Sequence, residues 1–277
     1  MNTESRQAQL VQLETGAGNG QRVLARSQRF TVERLVGDAS DIFEFASGTE
    51  AILLLPRVSA KISGSAAADL EGHSVTILAR GSYSVQLGHA GEAYILSTDR
   101  LDGGASDAIN ASTYIEPDTR VQPIGEPFTP ARALKPVRSY RVEDITIPPD
   151  NGRLRFLQSE TMSLNWVEYE GERGRDALSP HSHKSFEQAS LAIEGEFIHH
   201  LRTPWGRNAN LWREDEHVKA PAASLIVIPP EIIHTTEGVG DGRHVLVDIF
   251  APARRDFIAK NWVFNAADYA EPLAVRV

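Results

Sequence analysis

Short apolar or alternating segments recur through residues 28–120, at Ala51–Leu55, Ser74–Leu78, Tyr83–Leu87 and Ala93–Ser97, with Gly, Ser and Asp clusters between them. Segments of this length, bounded by turn formers and without a sustained 3.6-residue period, predict the strands of an all-β sandwich or barrel. A second series follows at Leu154–Leu157, Leu164–Tyr169, Ala189–Ile193, Phe197–Leu201, Leu225–Ile228 and Val245–Phe250. Between the two series stand Pro123, Pro127, Pro130 and Pro136. Proline fixes φ and removes a backbone donor, so this stretch reads as a semi-rigid connector rather than packed structure. Residues 1–27 are polar apart from Leu10–Leu13, and the glycines at 16, 18 and 20 follow no predicted strand. They imply a flexible turn in an arm rather than a phosphate cradle. Arg254–Asn261 reads as one short closing helix. The predicted organisation is an arm (1–27), a β barrel (28–125), a connector (126–150), a second β barrel (151–252), and a helix with a tail (253–277).

With 277 residues, of which 41% are hydrophobic and 23% charged, the chain is long enough for two cores and has ordinary globular composition. No apolar run approaches the ~20 residues that cross a bilayer, and the polar opening lacks a basic-then-apolar leader, so a cytoplasmic location and no membrane partner are expected. The absence of cysteine excludes disulfides, thiolate ligands and cysteine nucleophiles; any metal must sit on nitrogen and oxygen. A formal charge of −9 with no Lys/Arg-rich block makes nucleic acid an unsuitable partner.

The chemistry concentrates in Ser179-Pro180-His181-Ser182-His183-Lys184-Ser185-Phe186-Glu187-Gln188. On a strand, residues two apart project from one face, so both imidazoles can converge on one point. A third histidine, His234, stands behind the apolar run Leu225–Ile228 and the Pro229-Pro230 break.

These residues resemble the two signature motifs of the cupin superfamily. In the first, His181, His183, Glu187 or Gln188, and Gly195 fall into place; in the second, Pro229 and His234 do. Arg175 occupies the place of the first motif's leading glycine, and Ala223, Glu231 and Gly238 replace two glycines and an asparagine of the second. These departures bear on turn geometry before they bear on ligation. In the N-terminal half, Ala79-Arg80-Gly81-Ser82-Tyr83-Ser84 resembles the second motif with Ser84 at the ligand position, and no His-x-His lies upstream. The resemblance therefore implies an all-β chain of two cupin barrels, the N-terminal one degenerate and the C-terminal one metal-binding.

The implied metal ligands are His181, His183 and His234 with either Gln188 or Glu187. Gln188 satisfies both motif spacings; Glu187 satisfies only the forward one, and alternation would turn it to the opposite face. With Gln188 as ligand, the metal keeps its full charge and favours an anionic substrate or bound hydroxide, and Glu187 is free to act as a general base. One divalent ion is implied, Fe(II) foremost, with Mn, Ni, Zn and Cu also compatible with such ligands. Four protein ligands on an octahedral ion leave two positions for a small oxygen-bearing, acidic substrate, or for substrate beside dioxygen. The functions implied are foremost a dioxygenase, then a metal-dependent isomerase or lyase. Outside catalysis stand a small-molecule binding or sensing module and a storage protein. Resemblance also implies a homodimer.

Other candidates have plainer readings. Of His199 and His200, adjacent on a strand, at most one can face the barrel interior. His73 and His89 read as surface residues, His217 as part of a solvated charged loop, and Trp166 as core. Trp205, Arg207 and Trp212 fall in the insert between the motifs, as an exposed hairpin or a pocket rim.

Overall fold

The computed structural model describes residues 6–14, 16, 18, 20–100, 104–149 and 152–270. The tail expected beyond the closing helix lies, from 271 on, outside the described residues. The N-terminal half holds strands β1 (Gln9–Gln12), β2 (Gln21–Arg26), β3 (Thr31–Gly37), β4 (Ile42–Ser47), β5 (Ala51–Leu55), β6 (Ala60–Gly64), β7 (Ala68–Leu70), β8 (Ser74–Leu78), β9 (Gly81–Leu87) and β10 (Gly91–Ser97). Next come β11 (Thr129–Pro130), β12 (Val137–Arg141), β13 (Leu154–Gln158), β14 (Ser163–Glu170), β15 (Gln188–Glu194) and β16 (Glu196–Arg202). The chain closes with β17 (Glu216–Ala220), β18 (Ser224–Ile228), β19 (Ile233–Val239), β20 (Arg243–Phe250), helix α1 (Arg255–Ala259) and β21 (Tyr269–Ala270).

These strands build two barrels. In the first, a six-stranded sheet of order β12-β8-β5-β10-β3-β2 faces a four-stranded one, β4-β9-β6-β7. In the second, a six-stranded sheet of order β1-β18-β15-β20-β14-β13 faces β17-β16-β19. The two large sheets pack back to back: Ile52, Leu54, Tyr94 and Leu96 from one meet Leu164, Trp166, Leu191, Val247 and Ile249 from the other in a single apolar cluster. Each large sheet is thus covered on both faces, by its own barrel interior and by its twin, which is why β5, β8 and β18 are buried at every position and do not alternate. The outer sheets meet solvent on one face and alternate, as in Ile42–Ser47.

The two halves exchange their edge strands, and here the structure corrects two expectations. Gln9–Gln12 is not free arm but pairs antiparallel with β18 of the second barrel. Val137–Arg141, inside the expected connector, pairs with β8 of the first. That edge of each large sheet would otherwise leave its ladder open, and a four- or five-residue strand that precedes the opposite barrel in the chain pairs with it. Gln21–Arg26 likewise belongs to the first barrel, paired with β3.

The halves correspond in register. Gln188 pairs with Ile228 at the end of the β15–β18 ladder as Ala51 pairs with Leu78 at the end of β5–β8. Ser84 follows Leu78 at the distance that His234 follows Ile228. The turns also correspond: His73 (φ 53°) and Ala223 (φ 57°), each entering its strand, are both left-handed.

Candidate metal centre

His181 and His183 lie on an extended segment rather than in a regular strand, a departure from the sequence expectation. His181 nonetheless bridges antiparallel to His234 at the start of β19, its N–H donating to the His234 carbonyl at 3.0 Å and its carbonyl accepting from the His234 N–H at 2.8 Å. Residues that exchange both hydrogen bonds carry their side chains side by side. The rings of His181 and His234 accordingly lie 4.5 Å apart, centre to centre. His183, two residues on, turns the same way, 5.3 Å from His234 and 5.0 Å from His181. Its carbonyl is pinned by the N–H of Glu231 at 2.6 Å. Glu231 stands where the resembled motif has glycine and still adopts φ 73°, so the turn survives the departure.

One ring nitrogen from each of the three histidines lies within 4.8 Å of the others, a spacing that can hold a metal ion. Backbone carbonyls set the tautomers. His181 Nδ1 faces the Ser179 carbonyl and His234 Nδ1 the Ile232 carbonyl, both at 2.9 Å. A carbonyl only accepts, so in the neutral rings Nδ1 carries the proton and Nε2 presents a lone pair. The rings of His183 and His234 are neutral at pH 7: burial above all, with the neighbouring imidazoles, lowers their pKa values to about 3 and about 4.

Gln188, first residue of β15, brings its Oε1 to 2.9 Å from His183 Nε2 and 3.2 Å from His234 Nε2. Beneath it, Asp248 on β20 takes the other end of the amide: Gln188 Nε2 donates to Asp248 Oδ1 at 3.1 Å and to Ser190 at 3.2 Å. Ser190 donates to the same oxygen at 2.6 Å, and Asn165 to the other at 3.4 Å. A carboxylate fed by these donors fixes which end of the amide points up, and the carbonyl faces the histidines. Two acceptors, His234 Nε2 and Gln188 Oε1, then stand 3.2 Å apart with no proton between them. That arrangement is repulsive alone and favourable around a cation, so the residues present fit a divalent ion.

Glu187 does not join them. The neighbour of Gln188 projects to the other face of the sheet, where it is 2% exposed. Its carboxylate accepts from the Gln28 N–H at 2.6 Å and lies 3.8 Å from the Arg6 guanidinium. Burial raises its pKa to about 6. Its register counterpart, Glu50, does the same work in the other half, accepting from the Glu160 N–H at 2.9 Å and pairing with Arg138 at 2.7 Å. The position is a clamp between the two barrels, remote from a base beside the histidines.

The remaining histidines divide as strand geometry demands. His199 faces the interior, its Nδ1 against Thr236 at 2.9 Å, while its neighbour His200 faces outward to His217 and Glu237. His217, expected in a loop, lies on β17. His73 bridges Glu143 and Glu168. Trp166 is core. Trp205 and Trp212 stack on each other at 4.6 Å, exposed on their hairpin and away from the cavity.

The three histidines and Gln188 lie in the wall of a cavity of about 440 Å3. Sequence reasoning missed Asp248 and the cationic wall. The signal for Asp248 was a carboxylate interrupting the apolar run Val245–Phe250. In the first barrel, Ile95 takes that place in the register.

No protein-family model matches the sequence, and no curated protein matches it. Solved structures do match by fold. Bacillus subtilis oxalate decarboxylase, as a deletion mutant, superposes with a TM-score of 0.59 at 13% identity, covering 88% of this chain and 76% of that one. A structure devoted to the Mn(II) centres of the same enzyme gives 0.57 at 12%, covering 88% and 77%. AerE from Microcystis aeruginosa gives 0.55 at 8%, covering 88% and 97%. The chain therefore has the all-β, two-barrel cupin fold that its motifs imply.

Proposed function

We propose that the protein is a mononuclear divalent-metal enzyme acting on a small, oxygen-bearing acidic substrate, with His181, His183, His234 and Gln188 as the protein ligands. The observation that carries this reading is the pair of unprotonated acceptors, His234 Nε2 and Gln188 Oε1, held 3.2 Å apart by their other hydrogen bonds. When bound, the ion supplies Lewis acidity, undiminished by any anionic ligand among these four. The chain's residues do the rest. Asp248 holds the amide, backbone carbonyls hold the tautomers of His181 and His234, and aromatic rings wall the cavity. The N-terminal barrel serves as scaffold, since Ala51 and Ser84 occupy the places of Gln188 and His234.

The cavity's lining supports an acidic substrate. Arg153, Arg173, Arg254 and Lys260 face two acids, Asp248 and Asp256. A foremost reading is oxygenation by a dioxygenase, because an ion with two open positions can hold substrate and oxygen together, and Fe(II) is the ion suited to that. A lyase that releases carbon dioxide is the second reading. Its support is the fold shared with oxalate decarboxylase, a protein whose Mn(II) centres are documented.

Metal analysis of protein purified without an affinity tag tests the common part: about one divalent ion per chain in the wild type, and at least a tenfold loss of affinity in His234→Ala. Oxygen uptake by the Fe(II)-loaded protein with enediols, catechols or diketones then separates the readings, since a lyase consumes none. A wild type that takes up no divalent ion overturns both.

A further inference from the structure

Within the cavity, one cation is held in an unusual way. Arg254 enters from the segment after β20, its side chain only 13% exposed. Its guanidinium carbon lies 4.1 Å from the ring centre of Phe186 and 4.3 Å from that of Phe257, so apolar rings cover it. Nε and Nη2 donate to the two oxygens of Asp256 at 2.7 and 2.6 Å. Nη1 is buried and has no partner among the described residues. A buried guanidinium N–H without an acceptor costs on the order of 1–3 kcal/mol unless something else accepts from it.

The first barrel shows what a satisfied counterpart looks like. There the mouth arginine, Arg100, meets Glu33 at 2.8 Å, both nearly inaccessible. Glu33 pairs with Ile95 as Asn165 pairs with Asp248. The second barrel thus carries a neutral amide at the position where the first carries the neutralising carboxylate. Three further cations line the same cavity, and one of them, Lys260, holds its Nζ 4.4 Å from the ring centre of Trp262. Arg173 donates to the Thr236 carbonyl and leaves Nε unpartnered, and Arg153 has no hydrogen bond or ion pair among the described residues.

The wall around these cations is aromatic. Phe156 stacks on Trp262 with ring centres 5.5 Å apart and planes 15° from parallel, and it touches Phe257 at 4.6 Å. A cavity of about 440 Å3 falls in the range of about 300–1,000 Å3 typical of sites for ring-sized molecules. Flat aromatic walls favour a flat, polarisable guest.

We propose that Arg254 is the specificity-determining residue of this cavity and that the substrate is an aromatic carboxylic acid. Its carboxylate accepts from Arg254 Nη1 while its ring lies against Phe156 and Trp262 and its remaining oxygens turn towards the histidines. The assignment rests on the metal-site reading above. Asp256 already balances the guanidinium's charge through Nε and Nη2; the substrate carboxylate supplies the acceptor that Nη1 lacks.

The test uses the Mn(II)-loaded protein and three probes titrated calorimetrically: salicylate, its uncharged amide of the same shape, salicylamide, and the non-aromatic acid cyclohexanecarboxylate. Mn(II) uptake is followed separately by electron paramagnetic resonance. Salicylate is expected to bind at least tenfold more tightly than salicylamide and than cyclohexanecarboxylate. Arg254→Gln is expected to remove at least tenfold of the salicylate affinity while leaving salicylamide binding and Mn(II) affinity unchanged. Equal affinity for the acid and its amide in the wild type overturns the proposal, and needs no variant to fold. So does an Arg254→Gln protein that binds salicylate as the wild type does, or a cyclohexane acid that binds as well as the aromatic one. A protein that loads Mn(II) and binds no salicylate sinks this inference alone; one that loads no Mn(II) sinks the metal reading with it.

Discussion

Asp248 decides what Gln188 can do. An amide free to turn offers a donor or an acceptor, whereas one whose nitrogen is tied to a carboxylate oxygen at 3.1 Å offers only its carbonyl to the histidines. Burial raises the Asp248 pKa, opposed by the hydrogen bonds from Ser190, Asn165 and Gln188. Residues that orient ligands in this way typically contribute about 10–100-fold to metal affinity. Asp248→Asn, which can offer an N–H where Gln188 now donates, is therefore expected to weaken Mn(II) or Zn(II) binding by about that factor. Competition against a chelating dye measures it, with the melting temperature in chelator as the control for folding. The convergence of the three histidines was legible because their spacing matches a pattern met elsewhere, and that spacing left Gln188 and Glu187 both open. Asp248 and Arg254 were not legible, because no spacing links them to the motifs. They reach the cavity through the pairing of β20 with β15, a contact between strands far apart in sequence. Glu187 and Gln188 show the converse: alternation alone separates them, one to the clamp between barrels and one to the histidines.

Strands were the most legible elements, since double-sided burial left unbroken apolar runs and solvent contact left alternation. What escaped was the exchange of edges. Leu10-Val11-Gln12-Leu13 carries too little pattern to announce a strand, and nothing local says that Val11 pairs with Leu225. The prolines of the connector hid β12 in the same way. Yet the exchanged segment is firmly seated. Leu13 is fully buried, its N–H donates to the Ala223 carbonyl at 2.8 Å, and its carbonyl accepts from Arg34. Truncating a buried leucine costs about 2–5 kcal/mol through lost transfer energy and the cavity left behind. Leu13→Ala is accordingly expected to lower unfolding stability by that order in urea titration. A loss under about 0.5 kcal/mol, the size of an ordinary surface substitution, would show the segment to be a loose arm after all.

At the scale of the molecule, the second barrel stores neutral imidazoles, and stability must answer to pH. Burial lowers His183 and His199 to about 3 and His234 to about 4, against about 6.5 for an exposed ring. As pH falls through 6.5 the unfolded chain takes up protons at these three sites that the native chain refuses, so acidification destabilises the fold. Glu187 works against this. Raised to about 6 by burial, it holds a proton in the native state between that pH and the usual carboxylate range, and it stabilises the fold as pH falls there. Burial raises Glu160 and Asp248 in the same sense, while Glu168, lowered by its hydrogen bonds from His73 and Trp166, acts in the other. Across the range in which an exposed imidazole titrates, unfolding takes up protons at the three rings, and stability falls as pH falls. Urea unfolding in chelator, in moderate salt that screens the self-repulsion of a chain of net charge −9, is expected to show stability falling steadily from pH 7 to pH 5. His199→Gln removes one of the three sites while keeping all three members of the His181, His183 and His234 cluster and is expected to flatten the slope by about one proton's worth. A wild-type stability independent of pH across that window would mean that these rings take up protons in the native chain as readily as in the unfolded one, and that burial does not hold them neutral.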